Sequence, residues 1–209
     1  MITIEVTNDF RGIEKDTKFV FDKNTIIVGD NGCGKTALLS AIRGKLISSN
    51  KETDSLYFSD YKKLSENISI EHDYDKVFAY FSVEDDGGNM NNSFDAMAFI
   101  RNGGFAIQKI SHGQKQFHYI VTLLEQIKQY KTDNPTHRIL VLLDEFDKGF
   151  SLKMQIKACN LLLVFNSYGC DVICSTHNYF LIKKHKEIFD MCSKKYITPS
   201  EYIDICEKL

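Results

Sequence analysis

Only two prolines interrupt this 209-residue chain, so its helices and strands meet few breakers. No apolar run approaches the roughly 18 consecutive residues that a transmembrane helix needs. The longest, such as Leu161 to Phe165, are far shorter, and no membrane span is expected. The first residues carry no basic, apolar leader, which sets the expectation of a reducing, cytoplasmic setting. Net charge is −2, without the basic excess that marks many nucleic-acid-binding chains. Repeats and low-complexity tracts are missing too. What is present is a hydrophobic content of 43%, enough for a packed core and against disorder. The length fits one domain, residues 1–209.

Six cysteines are spread along the chain: Cys33, Cys159, Cys170, Cys174, Cys192 and Cys206. Cys170 and Cys174 flank an expected strand over Asp171–Ser175. Four residues along a strand hold their side chains more than about 12 Å apart, too far for one bridge or one metal. They are read as ordinary thiols. The six histidines show no zinc-type spacing.

Along the chain, Ile2–Val6 alternates, Lys18–Phe21 is β-branched and aromatic, and Thr25–Val28 is a compact apolar run, so three short strands are predicted. Gly34–Ile47 reads as a helix with Leu38, Leu39, Ile42 and Leu46 on one side. Residues 48–75 are polar and mixed, with no clear period. Lys76–Val83 is a further strand and Glu84–Asn92 a loop by composition. Gln114–Tyr130 is helical by its three-to-four spacing, and Thr132–Thr136 breaks it. Ile139–Leu143 is apolar throughout, as in a strand covered on both faces. Leu152–Phe165 is a helix, Asp171–Ser175 a buried strand, and Thr198-Pro199-Ser200-Glu201 a helix start with a capping box. Strands alternating with helices predict an α/β fold with a parallel core.

Gly29-Asp30-Asn31-Gly32-Cys33-Gly34-Lys35-Thr36 matches G-x-x-x-x-G-K-[ST] between a predicted strand and a predicted helix. Its glycines let backbone N–H groups curl around a β-phosphate, and the helix start adds positive dipole. Lys35 is placed to reach the β- and γ-phosphates of ATP and the Thr36 hydroxyl to ligate Mg²⁺. Asp30, Asn31, Gly32, Cys33, Gly34 and Ala37 complete the nucleotide-binding candidates. Cys33 is read as a packing position, with a redox role as the lesser alternative. Later, Ile139-Leu140-Val141-Leu142-Leu143 runs into Asp144-Glu145. A strand of that kind delivers Asp144 to its carboxyl end, where sheet ligands sit, as a Mg²⁺-shell residue. Glu145 is the candidate base for the attacking water.

Together with these, Ile110-Ser111-His112-Gly113-Gln114 resembles the signature of ABC ATPases, usually LSGGQ. Asp147 is similar to their D-loop residue, and His177, after a buried strand, to their switch histidine. The order of the motifs, over residues 29–177, implies a P-loop NTPase of the ABC-ATPase head type. That type has a mostly parallel central sheet flanked by helices, an N-terminal antiparallel β lobe and a small helical lobe, here roughly residues 48–109. The subtype resembles the SMC, RecF and OLD-like group in three stretches: Asn8-Asp9-Phe10-Arg11, placed before the first hairpin, Asp144-Glu145-Phe146-Asp147-Lys148-Gly149-Phe150-Ser151, and Thr176-His177-Asn178-Tyr179. In that group an arginine at the position of Arg11 approaches the nucleotide. Only positions 37 to 110 separate Thr36 from Ser111, so this is a compact form without a coiled coil.

The resemblance implies a homodimer that sandwiches two ATP molecules, with Ser111, Gly113 and Gln114 of one chain capping the γ-phosphate held by the other. Glu145, His177 and Lys35 are the catalytic candidates, and Thr36 and Asp144 the metal ligands. Three departures stand out. His112 replaces the first signature glycine, Phe146 replaces a proline, and no Q-loop glutamine follows Val77–Val83, leaving Glu84 or Asp85 in that place. Gln108 is too close to the signature to serve. The expected function is a cytoplasmic ATPase controlling a separate effector, a nuclease or toxin, in DNA maintenance or in bacterial or phage defence. The alternatives are the ATP-binding subunit of a membrane transporter and a non-enzymatic dimerisation module. Intact Lys35, Thr36, Asp144 and Glu145 argue against the last. Lys183-Lys184-His185-Lys186 and Lys194-Lys195 are read as solvated basic clusters, with DNA phosphates as the alternative contact.

Overall fold

The computed structural model describes residues 1–22, 24–47, 56–81 and 112–208. The strands are β1 (Ile2–Val6), β2 (Lys18–Phe21), β3 (Thr25–Val28), β4 (Ile68–His72), β5 (Lys76–Phe81), β6 (Ile139–Asp144), β7 (Cys170–Ser175), β8 (Ile188–Asp190) and β9 (Lys195–Ile197). The helices are α1 (Lys35–Ile47), α2 (Leu56–Ser65), α3 (His112–Asp133), α4 (Leu152–Ser167), α5 (Tyr179–Lys184) and α6 (Pro199–Cys206). The fold is the expected one, an α/β P-loop NTPase with a mostly parallel sheet and an antiparallel N-terminal β lobe.

The antiparallel lobe has the order β2-β1-β4, with Ile4 facing Phe19 on one side and Ile70 on the other. Its alternation follows the predicted pattern, Ile2, Ile4 and Val6 being buried. The main sheet has the order β5-β6-β7-β3-β8-β9 and is parallel except for the β8–β9 pair. Every residue of β6 is buried. Val141 and Leu143 join one core with α3 and α4, including Ile120, Ile127, Leu162 and Phe165. Leu140 and Leu142 join the other with α1 and the β lobe, including Leu38, Ile42, Phe19 and Phe21. Period-two alternation across a sheet covered on both faces explains why this strand reads as a continuous apolar run.

Several boundaries move. Within the stretch without clear period, α2 and β4 form, and β4 and β5 are built into the two sheets. Helix α3 runs to Asp133, so the expected break starts later. Strand β7 begins at Cys170, and both Cys170 and Cys174 are buried free thiols. Strands β8 and β9 and helix α5 were not expected, being only 3, 3 and 6 residues long. The capping box at Thr198 is formed: Glu201 N–H donates to the Thr198 hydroxyl at 3.2 Å and Thr198 N–H to the Glu201 carboxylate at 2.7 Å. The expected loop over residues 84–92 lies outside the described residues, as do Gln108 and the Q-loop candidates Glu84 and Asp85.

Candidate functional site

The phosphate loop connects β3 to α1, and its glycines carry the geometry. Gly29, Gly32 and Gly34 have φ of 136°, 85° and 98°. L-residues avoid that half of φ space, and glycine enters it freely. Gly34 is also a close approach. A Cβ there would lie 3.1 Å from Ile13 Cγ1 and 3.4 Å from the Arg11 carbonyl oxygen. Arg11 therefore sits with its backbone beside the phosphate loop. The Asn8–Arg11 stretch lies within the connection from β1 to β2 rather than before the hairpin, and Phe10 bridges Ile13 there.

Lys35 is buried, and its ammonium donates to the carbonyl oxygens of Gly29 at 2.7 Å and Asp30 at 2.9 Å. Both acceptors belong to the loop itself, so the ammonium is tied to the loop and must leave these carbonyls to reach a phosphate. Asp30, Asn31 and Gly32 are exposed, while Cys33, Gly34, Thr36 and Ala37 are half-buried. The first turn of α1 carries no acidic residue, which leaves the positive end of its dipole unopposed.

The acidic pair ends β6, two strands from the loop. Asp144 is fully buried. Its Oδ1 accepts from the Ser175 hydroxyl at 2.6 Å, and the Thr36 hydroxyl also donates to this carboxylate. Burial pushes the Asp144 carboxyl up from its ordinary range, against the pull of those two hydrogen bonds and of the Lys35 charge. Its Oδ2 has no hydrogen-bond partner among the described residues. A buried carboxylate oxygen left in this state beside a threonine hydroxyl fits a hard divalent cation, which supplies the missing charge and an oxygen-preferring ligand. Thr36 and Asp144 are thus suited to hold Mg²⁺.

Glu145 follows with φ of 47°, a left-handed conformation uncommon for a residue with a side chain. Neighbouring contacts hold it there. Its N–H is shared between the Ser175 carbonyl and hydroxyl, each at 3.1 Å, and its carbonyl accepts from Lys148 N–H at 3.0 Å. The turn directs the carboxylate outward, 3.7 Å from His177 Nε2 and 4.0 Å from Lys148 Nζ. Glu145, Asp147, Lys148, Gln155, His177 and Asn178 line a cavity of about 220 Å³. Asp147, buried, accepts from the Thr176 hydroxyl at 2.7 Å; burial pushes its carboxyl up and that bond opposes the shift.

These groups meet because of strand order. β3, β7 and β6 are adjacent in the sheet and parallel, so the phosphate loop, His177 and the Asp144-Glu145 pair leave neighbouring carboxyl ends. Ser175 pairs in register with both Asp144 and Ile27 and links them. The signature is less fully placed. Ser111 lies outside the described residues. Gly113 is buried in the first turn of α3, and the atoms nearest a Cβ there belong to Gly149 and Phe150, with the Gly149 carbonyl oxygen at 2.6 Å. Phe146, where the family has proline, is fully buried and meets the Phe150 ring edge-on.

Sequence reasoning missed three residues of this site. Ser175 and Thr176 orient the carboxylates of Asp144 and Asp147. Their signal was polarity at the carboxyl end of an apolar strand. Tyr202 of α6 lies beside the Gly29 N–H, and its hydroxyl is pushed up to about 12, chiefly by burial. Nothing local in the sequence announces that contact.

A glycine-lined phosphate loop, an acidic pair at a strand end with Asp144 buried, and a mostly parallel sheet define a P-loop NTPase. The model of the ABC transporter family matches residues 16–137, more than half of the chain. The chain belongs to that family, and its fold is that of the ABC ATPase, a domain that binds ATP with Mg²⁺. Among solved structures it is similar to the ATP-binding cassette MJ0796, in a dimeric post-hydrolysis state bound to ADP and Pi. The TM-score is 0.52 at 16% sequence identity, covering 95% of this chain and 99% of that chain. At that identity the likeness speaks for the fold. No curated protein matches the sequence. Asp144, Glu145 and His177 lie beyond the matched segment, so their place in the site rests on the geometry above. Among the described residues no helix is long and apolar enough to cross a membrane.

Proposed function

We propose that this chain is a Mg²⁺-dependent ATP hydrolase that closes as a homodimer around ATP and passes that closure to a separate effector protein. The observation that carries the reading is the convergence of Lys35, Asp144, Glu145 and His177 on three adjacent strand ends. In this reading one domain spans residues 1–209, with a small lobe at roughly 48–109. Lys35 and the loop N–H groups hold the phosphates, and Arg11 lies at the nucleotide's edge. Thr36 and Asp144 hold Mg²⁺, which neutralises phosphate charge when bound. Glu145 takes the proton of the attacking water, and His177, 3.7 Å away, orients that carboxylate. Ser111, Gly113 and Gln114 of the second copy face the γ-phosphate, where helix-start N–H groups stabilise developing charge.

The resemblance of Asn8–Arg11 and of the stretch from Asp144 to Phe150 to the SMC, RecF and OLD-like group supports a cytoplasmic role in DNA maintenance or in bacterial or phage defence, with a nuclease or toxin as effector. The basic clusters Lys183-Lys184-His185-Lys186 and Lys194-Lys195 are the candidate DNA contacts. A second reading, the ATP-binding subunit of a transporter, is favoured by the family match itself.

Glu145→Gln keeps the shape of the site and removes the base. The variant is expected to run as a dimer with ATP and Mg²⁺ in size-exclusion chromatography, with hydrolysis down by about 10²-fold or more. A variant that hydrolyses ATP at the wild-type rate removes Glu145 from its role. Crosslinking of the trapped dimer in its native cells then separates the readings: a permease supports transport, a nuclease or toxin supports effector control.

A further inference from the structure

The β8–β9 turn is built to face the phosphate loop. Asp190 is buried and caps the turn, its carboxylate accepting from Cys192 N–H at 3.1 Å and Ser193 N–H at 3.0 Å. Met191 N–H donates to the Val28 carbonyl at 2.9 Å, which ties the turn to the last residue of β3. Lys194 completes it in the left-handed region, with φ of 57°. The result is one fixed position for Cys192, whose Sγ accepts from the N–H of Asp30 at 3.4 Å. On the loop, Cys33 faces the same point. A Cβ built on Gly29 would lie 2.9 Å from Cys33 Sγ and 3.3 Å from Cys192 Sγ. The two sulfurs thus lie around one point at Gly29, brought together across 159 residues of sequence (192 − 33). Cys192 is exposed and Cys33 half-buried, and both are free.

We propose that Cys33 and Cys192 are a reversible redox pair: a hydroperoxide joins them as a disulfide that locks the phosphate loop in a form of low nucleotide affinity. The inference rests on the reading of residues 29–36 as the ATP site. Cys192, open to solvent, attacks one peroxide oxygen. The O–O bond breaks, the departing oxygen takes the thiol proton and leaves as water from hydrogen peroxide or as an alcohol from an alkyl hydroperoxide, and Cys192 becomes a sulfenic acid. Cys33 then attacks Cys192 Sγ. The S–O bond breaks, and the hydroxide leaves with the Cys33 proton as water. Two thiols have lost two electrons and the peroxide has gained them; a dithiol reductant returns two electrons and two protons. Burial pushes the Cys33 thiol up, while the Lys35 ammonium, 3.9 Å from its sulfur, pulls the other way. Cys33 therefore waits as a thiol while the exposed Cys192 meets the oxidant.

The disulfide acts on binding through the loop backbone. Cys33 lies inside the curl that must close on the β-phosphate, next to Gly34 and Lys35. Tied to the β8–β9 turn, it keeps the loop as seen here, with the Lys35 ammonium engaged by the Gly29 and Asp30 carbonyls. Lys35 then cannot turn to a phosphate without breaking bonds that the crosslink preserves.

The test compares wild type, Cys192→Ser and Cys206→Ser, each reduced and each treated with hydrogen peroxide. Peptide mapping reads the bond and calorimetry with ATP and Mg²⁺ reads affinity. Peroxide is expected to yield a linked Cys33–Cys192 peptide in wild type and Cys206→Ser, with ATP affinity reduced about tenfold or more and restored by dithiothreitol. Cys192→Ser is expected to bind ATP like reduced wild type before and after peroxide. The proposal is overturned if no linked peptide forms, if it forms and affinity stays unchanged, or if Cys192→Ser loses affinity on the same treatment. Reduced wild type that fails to bind ATP overturns the phosphate-loop reading and the gating with it, and is recognised because it precedes any oxidation.

Discussion

Asp144 shows how a single residue stores the conflict that a cation resolves. Its carboxylate is fully buried, one oxygen is satisfied by Ser175, and the other has no partner among the described residues. Its folded-state pKa is raised by burial. A raised carboxyl is easier to protonate in the folded than in the unfolded chain, so ionisation lowers stability as pH rises from the unfolded value through the folded one. Asp144→Asn removes that charge and keeps the shape. In EDTA at neutral pH the variant is expected to be more stable than wild type by about 1–3 kcal/mol, the usual scale for an unsatisfied buried polar group. The gain should vanish below about pH 4, where the carboxyl is protonated in both states. Thermal unfolding across pH measures it, and an unchanged or lower midpoint at pH 7 would contradict the account. Mg²⁺ should stabilise wild type and leave Asp144→Asn unmoved.

At the scale of elements, the start of α3 and the turn after β6 form one packed unit. Gly113 is there because the Gly149 carbonyl leaves no room for a Cβ. The start of α3 is therefore packed directly on the segment that follows Asp147. Gly113→Ala is expected to push this contact apart and lose about 1–3 kcal/mol of stability, in the range of overpacking. It should also depress hydrolysis more than single-chain ATP binding, because the phosphate loop lies on other elements. Equal losses in kcat and in nucleotide affinity would argue against that separation. The predicted helix begins at Gln114, and Gly113 is singled out in the sequence by the resemblance of Ile110–Gln114 to the ABC signature. That this glycine answers to Gly149 was not, since no local pattern reports a contact 36 residues away (149 − 113).

At the scale of the molecule, the proposed site is half of one. Lys35, Asp144, Glu145 and His177 come from one chain, and the signature residues that would face the γ-phosphate come from a second. Hydrolysis per chain is therefore expected to rise with protein concentration at saturating ATP until the dimer is populated. A rate per chain that stays flat down to concentrations where chromatography shows only monomer would sink the shared site. Order along the sheet is what makes each half: β3, β7 and β6 are neighbours although β3 precedes the other two by more than a hundred residues.

Local chemistry alone specified a great deal. The G-x-x-x-x-G-K-[ST] loop, the apolar strand ending in Asp144-Glu145, the amphipathic helices and the Thr198 cap are short-range patterns, and short-range physics produces them where they stand. The tertiary structure decided the rest. It placed Ser175 between the two acids, Tyr202 against Gly29 and Cys192 against Cys33. It also turned the unpatterned stretch before β5 into α2 and β4, and made short β8 and β9 the edge of the main sheet. Those are long-range pairings. A three-residue strand or a lone thiol carries no period of its own, and acquires its meaning only when the sheet brings its partner beside it.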